Sequence, residues 1–70
     1  MRLNGAAIRV IRERTGLSIT AAAAAAGVTQ PTWSNWERGA RRATPANAKL
    51  ICEVLRIEDM TAILATAEVA

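Results

Sequence analysis

The apolar positions of this chain recur at helical spacing in five short segments, each opened by a residue that caps helices. Asn4 can cap a first helix running to about Arg14. Its apolar stripe is Ala7, Ile8 and Ile11, with Thr15 a further candidate, while Arg9, Arg12, Glu13 and Arg14 lie largely off it. Thr15-Gly16 ends this helix, because glycine tolerates the left-handed conformation common at helix termini. Ser18 caps a second helix over Ile19–Ala26, and Gly27 makes the turn after it. Thr29 caps a third over Gln30–Arg38, with Pro31 in the first turn, where a missing N–H costs little, and Gly39 closes it. Thr44-Pro45 opens a fourth over Pro45–Leu55, with Ala48, Ile51, Cys52 and Leu55 inward. Asp59 opens a fifth over Met60–Ala67, with Met60, Ile63, Leu64 and Ala67 inward. There is no sustained two-residue alternation and no Phe or Tyr. The expected fold is all-α, a compact five-helix bundle forming a single domain over residues 1–70, without linker or repeat.

Composition narrows the picture. A chain of 70 residues buries only roughly 60% of the surface that its unfolded form exposes, so its stability is marginal. Cys52 is the single cysteine and histidine is absent, which excludes an intrachain disulfide and an ordinary zinc cluster. Cys52 sits in the apolar run LICEVL and reads as a small core residue. Oligomerisation is therefore an expected aid to stability. No catalytic constellation exists: Cys52 has no base partner, and Glu13, Glu37 and Glu53 form no paired arrangement. The expectation is a protein that is not an enzyme and uses no cofactor and no metal. Residues 1–42 carry seven arginines against Glu13 and Glu37, a net of +5, whereas residues 57–70 carry Glu58, Asp59 and Glu68 with no Lys or Arg, a net of −3. This balance suits a polyanionic partner met by the first two-thirds of the chain, although surface arginines that merely keep an Ala-rich protein soluble would give the same charge. No apolar run reaches membrane-spanning length and no signal-peptide core is visible, so a cytoplasmic location, with no membrane partner, is expected.

The window Ile19–Arg38 carries the functional signal. Two helices that meet steeply through a short turn need small residues at the bend and a turn residue able to take positive φ. Ala22, Ala23 and Ala26 supply the small face, Gly27 the turn, and Val28, Trp33 and Trp36 the apolar knobs. With Ile51 and Leu55 of the fourth helix, Ala23, Gly27, Val28, Trp33 and Trp36 form the expected core. The opposite side of the third helix carries Gln30, Pro31, Ser34, Asn35 and Arg38, whose amides and hydroxyl can exchange hydrogen bonds with base edges. The same face read without its context is an ordinary solvated one, and Trp33 and Trp36 could stack on single-stranded bases, but their spacing against the alanine face argues for core.

This window resembles that of the Cro/repressor family of phage helix-turn-helix proteins, the xenobiotic-response-element type, whose pattern Ala22, Ala23, Ala26, Gly27, Val28, Trp33 and Trp36 follow throughout. The neighbours agree: Trp36-Glu37-Arg38-Gly39 resembles the family's end of helix three, Leu50–Leu55 its fourth helix, and Ile8, Arg12 and Gly16-Leu17-Ser18 its first helix and the entry to the second. The resemblance covers about residues 4–65 and implies a lambda-repressor-like DNA-binding fold. It also implies a site. Thr29, Gln30, Pro31, Ser34, Asn35 and Arg38 would read bases from the recognition helix, with Gln30 and Asn35 suited to adenine and Pro31 to a thymine methyl. Ser18, Thr20, Arg41 and Arg42 would hold phosphates, although Arg41 and Arg42 also read as a plain exposed loop. Arg12 and Glu37 match an arginine–glutamate pair that ties helix one to helix three. Three positions depart from the family: Ile19 stands where a phosphate-binding Gln is frequent, Pro31 where a second polar reader is common, and Arg56 where Gly is frequent.

The implied function is a sequence-specific transcriptional regulator of Cro or immunity-repressor type, from a phage or prophage and acting in the bacterial host cytoplasm at the nucleoid. Its partner would be double-stranded DNA, met at a pseudo-palindromic operator by a weak or DNA-induced homodimer with half-sites about 34 Å apart. Regulation would be by occupancy, with no small-molecule effector domain. Two alternatives share the fold: the antitoxin of a toxin–antitoxin pair, and an architectural or excision protein that bends DNA.

Overall fold

The computed structural model describes residues 2–39 and 44–64. Four α-helices appear: α1 (Gly5–Thr15), α2 (Ile19–Ala26), α3 (Gln30–Glu37) and α4 (Pro45–Leu55), followed by a 3-10 turn (Met60–Ile63). The punctuation of the sequence explains the boundaries. Asn4 Oδ1 accepts from the Ala7 amide at 3.1 Å, Ser18 Oγ from Ala21 at 3.0 Å, Thr29 Oγ1 from Thr32 at 3.4 Å and Thr44 Oγ1 from Asn47 at 3.1 Å. Each satisfies a helix-start donor that has no partner within its helix. Gly16 (φ 80°) and Gly27 (φ 73°) close α1 and α2 in the left-handed region. Arg38 is the C-cap of α3, so that helix ends one residue before the predicted Arg38.

The last element differs from its prediction. In the described part of the helix expected over Met60–Ala67, a 3-10 turn over Met60–Ile63 stands instead, after which Leu64 is extended (φ −95°, ψ 145°) and pairs antiparallel with Leu3. A donor from the other end of the chain takes part here: the Asn4 N–H donates to the Ile63 carbonyl at 2.7 Å, which ties the 3-10 turn to the residue before α1. Asp59 still caps the element, accepting from the Thr61 amide (3.0 Å) and hydroxyl (2.7 Å). These two bonds, the hydroxyl's first, hold its carboxyl below the usual range. Ile63 is buried, and Met60 and Leu64 are half-buried. Ala67 lies outside the described residues.

The helices surround a core of Leu3, Ile8, Ala22, Ala23, Ala26, Trp33, Trp36, Ala48, Ile51, Cys52, Leu55 and Ile63. α3 packs on α1 and α2, while α4 packs on α2, α1 and the 3-10 turn. Several predicted core positions change: of the stripe expected on α1 only Ile8 is buried, while Ala7 and Ile11 are half-buried. Gly27 is exposed and serves only the turn, and Val28 is half-buried at the core margin. Thr15 is exposed, because its hydroxyl donates back to the Ile11 carbonyl at 2.6 Å rather than entering the core. Cys52 is buried, and desolvation, then the Asp59 charge, push its thiol up from the ordinary value. Among the described residues no helix is long and apolar enough to cross a membrane.

Candidate nucleic-acid interface

The angle between α2 and α3 is built from small residues. Ala22, Ala23 and Ala26 are buried and bring the helix backbones close, and Gly27 turns the chain. On the inner side of α3, Trp33 and Trp36 meet edge to face, with ring centroids 5.5 Å apart and planes at 64°. Such geometry aligns the positive edge of one ring with the negative face of the other. Both rings are buried, at 0% and 3% exposure, so neither is available to stack on bases.

Glu37 anchors α3 to α1. Its Oε2 accepts from Arg12 Nε and, at 2.6 Å, from the Trp33 indole N–H, while its Oε1 accepts from Arg12 Nη2 at 3.1 Å. The remaining end of the guanidinium donates to the Leu17 carbonyl at 2.8 Å. Arg12 therefore lies on the buried side of α1, not off its stripe, and links α1, the entry to α2, and α3. The hydrogen bond to Glu37 raises the Arg12 pKa, against the lowering effect of desolvation. The pair is expensive to desolvate but fully bonded, and among the described residues no buried side-chain N or O lacks a partner. Beside it, Gly5 touches the end of α3 so closely that a Cβ there would overlap the Glu37 carbonyl and lie 2.9 Å from that of Trp36.

With its inner side fixed in this way, α3 turns Pro31, Ser34, Asn35 and Arg38 outward. Gln30, Pro31 and Arg38 are exposed, while Ser34 and Asn35 are half-buried. Thr29, at the N-terminal end, is exposed, but its hydroxyl is already engaged as cap and with the Thr32 hydroxyl at 2.8 Å. Arg38 Nη2 donates to Asn35 Oδ1 at 2.7 Å. An open groove of about 630 Å³ beside this face is lined by Gln30, Pro31, Ser34 and Glu37 from α3, by its cap Arg38, by Ile19 at the start of α2 and by Arg9 and Arg12 from α1. The sequence places Arg9 only off the apolar stripe of α1, with no site role. Its place one turn before Arg12 was the available signal that it stands beside α3. Its contact to Glu13 (3.4 Å, both side chains more than half exposed) is weak enough to exchange for another anion.

At the start of α2, Ser18 Oγ accepts from the Ala21 amide, which leaves its O–H able to donate, and Thr20 is exposed one residue into the helix. The first amides of α2 have no intrahelical acceptor and face the same end, an arrangement that favours anions. Arg41 and Arg42 lie outside the described residues. Among the described residues no group of His, Cys, Asp or Glu could hold a metal ion.

The profile of the helix-turn-helix domain family matches residues 5–62. The chain belongs to that family. The crystal structure of the clp gene regulator ClgR from C. glutamicum superposes on this helix-turn-helix domain with a TM-score of 0.72 and 25% sequence identity, covering 91% of this chain and 73% of that one. No curated protein matches. The family and the all-α architecture agree with the Cro/repressor resemblance carried by Ala22–Trp36.

Proposed function

We propose that this helix-turn-helix domain is a sequence-selective regulator of transcription that lays α3 in the major groove of duplex DNA. One observation carries the reading. The inner side of α3 is held by Trp33, Trp36 and Glu37, which fixes the direction of an outer face of short polar side chains flanked by arginines. Oriented presentation of donors and acceptors is what base-edge recognition requires, and flanking cations supply the sequence-independent part of the affinity. Gln30, Pro31, Ser34, Asn35 and Arg38 are assigned to bases, with Thr29 at the helix mouth. Ser18, Thr20, Arg41 and Arg42 are assigned to phosphates, and Arg9 joins them from the groove beside α3.

The ClgR crystal structure is of a gene regulator, which supports regulation as the role of the similar fold here. The finer reading is a Cro-like protein that acts by occupying its operator. One recognition helix spans only a few base pairs, so two copies on a roughly two-fold site, about 34 Å apart, give useful selectivity. The half-buried apolar residues Val54, Ile57 and Met60, at the end of α4 and beyond it, are the surface assigned to that pairing.

Fluorescence anisotropy on the DNA flanking the gene, against a scrambled duplex at several salt concentrations, tests the proposal. The expected result is saturable binding roughly a thousandfold or more tighter to one segment, with a steep salt slope. Equal binding to both duplexes removes sequence selectivity and with it the regulator reading.

A further inference from the structure

Asn35 and Arg38 stand one turn apart on the outer face of α3, and the 2.7 Å bond between Arg38 Nη2 and Asn35 Oδ1 orients the Asn35 amide on chemical grounds alone. A guanidinium has five donors and no acceptor, so only the amide oxygen can face it. The Asn35 nitrogen, with its two N–H groups, is turned the other way. The oxygen keeps a second lone pair, but an N–H group approaching it meets the positive charge of Arg38. Arg38 itself is exposed and offers donors only. Together the two side chains present a surface rich in donors and poor in acceptors. Gln30 differs: it is exposed and makes no hydrogen bond to another side chain among the described residues, so both ends of its amide are available.

The distinction matters because purines differ in the major groove. Guanine shows two acceptors, N7 and O6, whereas adenine shows one acceptor, N7, and one donor, the N6 amino group. Bidentate pairing of an asparagine with adenine needs a free amide oxygen to receive N6–H, and in this chain Arg38 occupies that oxygen. We propose that Asn35 and Arg38 work as one donor pair that selects guanine over adenine, with Arg38 setting the choice by holding the Asn35 oxygen. The inference rests on the reading of α3 as a major-groove helix, and it replaces the adenine preference that the residue type alone suggests for Asn35.

Selection of bound duplexes from a randomised DNA library tests it, using the full chain and its Asn35→Ala, Arg38→Ala and Arg38→Met variants, each first shown to be folded by its thermal melt. The position that loses base preference in Asn35→Ala is the one that Asn35 faces. Guanine there in the wild type, by roughly tenfold over adenine, about 1.4 kcal/mol, is the expected result. Both Arg38 variants free the amide oxygen and should move that position to adenine. Adenine in the wild type overturns the proposal, as does guanine that persists in both Arg38 variants. A consensus unchanged in Asn35→Ala also overturns it, by removing Asn35 from the readout. A wild type that selects no consensus at all fails at the earlier step, because α3 then reads no sequence.

Discussion

Arg56 closes α4 with φ 57° and ψ 44°, the left-handed conformation that an L side chain adopts only at a cost. Its amide still donates to the Glu53 carbonyl at 3.4 Å, and the Ile57 amide to Cys52 at 2.8 Å, so the cap geometry is complete and only the residue type is unfavourable. The left-handed cost is about 1–2 kcal/mol for a residue with a Cβ, and the extra freedom of glycine in the unfolded chain returns about 0.4–1 kcal/mol of it. Arg56→Gly should therefore stabilise the protein by about 0.5–1 kcal/mol, read as a higher urea midpoint at unchanged slope. Glu37 is the opposite case. Glu37→Ala strands the Arg12 guanidinium and the Trp33 indole together and should cost about 3–5 kcal/mol in urea unfolding. Retained stability would show that Arg12 finds water instead. The Arg12–Glu37 contact was legible through a family resemblance, and the Trp33–Glu37 bond was open to reading from its four-residue spacing. The Asn35–Arg38 bond was equally local, but a residue type suggests a free amide until its neighbour is seen to hold it.

At the scale of elements, the helix starts were legible because capping is a local event: Asn4, Ser18, Thr29 and Thr44 each bond an amide three residues on. The segment Met60–Leu64 was less legible because its partners lie far away in the sequence. Asp59 and the apolar spacing of Met60, Ile63 and Leu64 favour a helix, whereas the fold forms a 3-10 turn whose Ile63 carbonyl accepts from the Asn4 amide. Leu3 escaped notice as a core residue for the same reason, since nothing beside it in the sequence announces its partner Leu64. Gly5 is the sharpest example. In the sequence it is the first residue of a helix, where glycine is unremarkable, whereas in the fold it is the point where α1 meets the last carbonyls of α3. Because the obstructing atoms are backbone, Gly5→Ala must push the two helices apart. It should cost about 2–3 kcal/mol and lower the thermal midpoint, and an unchanged melt would mean that α1 starts later than Gly5.

For the whole molecule the charge distribution follows the proposed function. The exposed arginines that border the groove, Arg9 and Arg38, lie on the same side as the outer face of α3. If Arg9 leaves Glu13 for a phosphate, Arg9→Ala should weaken binding to every duplex alike and reduce the slope of log affinity against log salt by about 1. An unchanged slope removes Arg9 from the phosphate contacts and leaves it paired with Glu13. The helix-turn-helix itself was readable from Ala22 to Trp36, because its geometry is made by side-chain size within one short window. Its attachment to the rest of the domain depends on pairs far apart in the chain, such as Arg12 with Glu37, which composition and periodicity do not report.

The antiparallel bridge between Leu3 and Leu64 also has a kinetic meaning. It joins residues almost the length of the described chain apart, so closing it carries a larger loop entropy than any contact between neighbouring helices. The turn from α2 to α3 needs only local encounters, whereas the two chain segments around the bridge must meet across all four helices, the kind of contact that slows folding. The Asn4 amide, bonded to the Ile63 carbonyl, sits at that long-range seam, and its exchange with solvent is the measurement that reports how often the seam reopens.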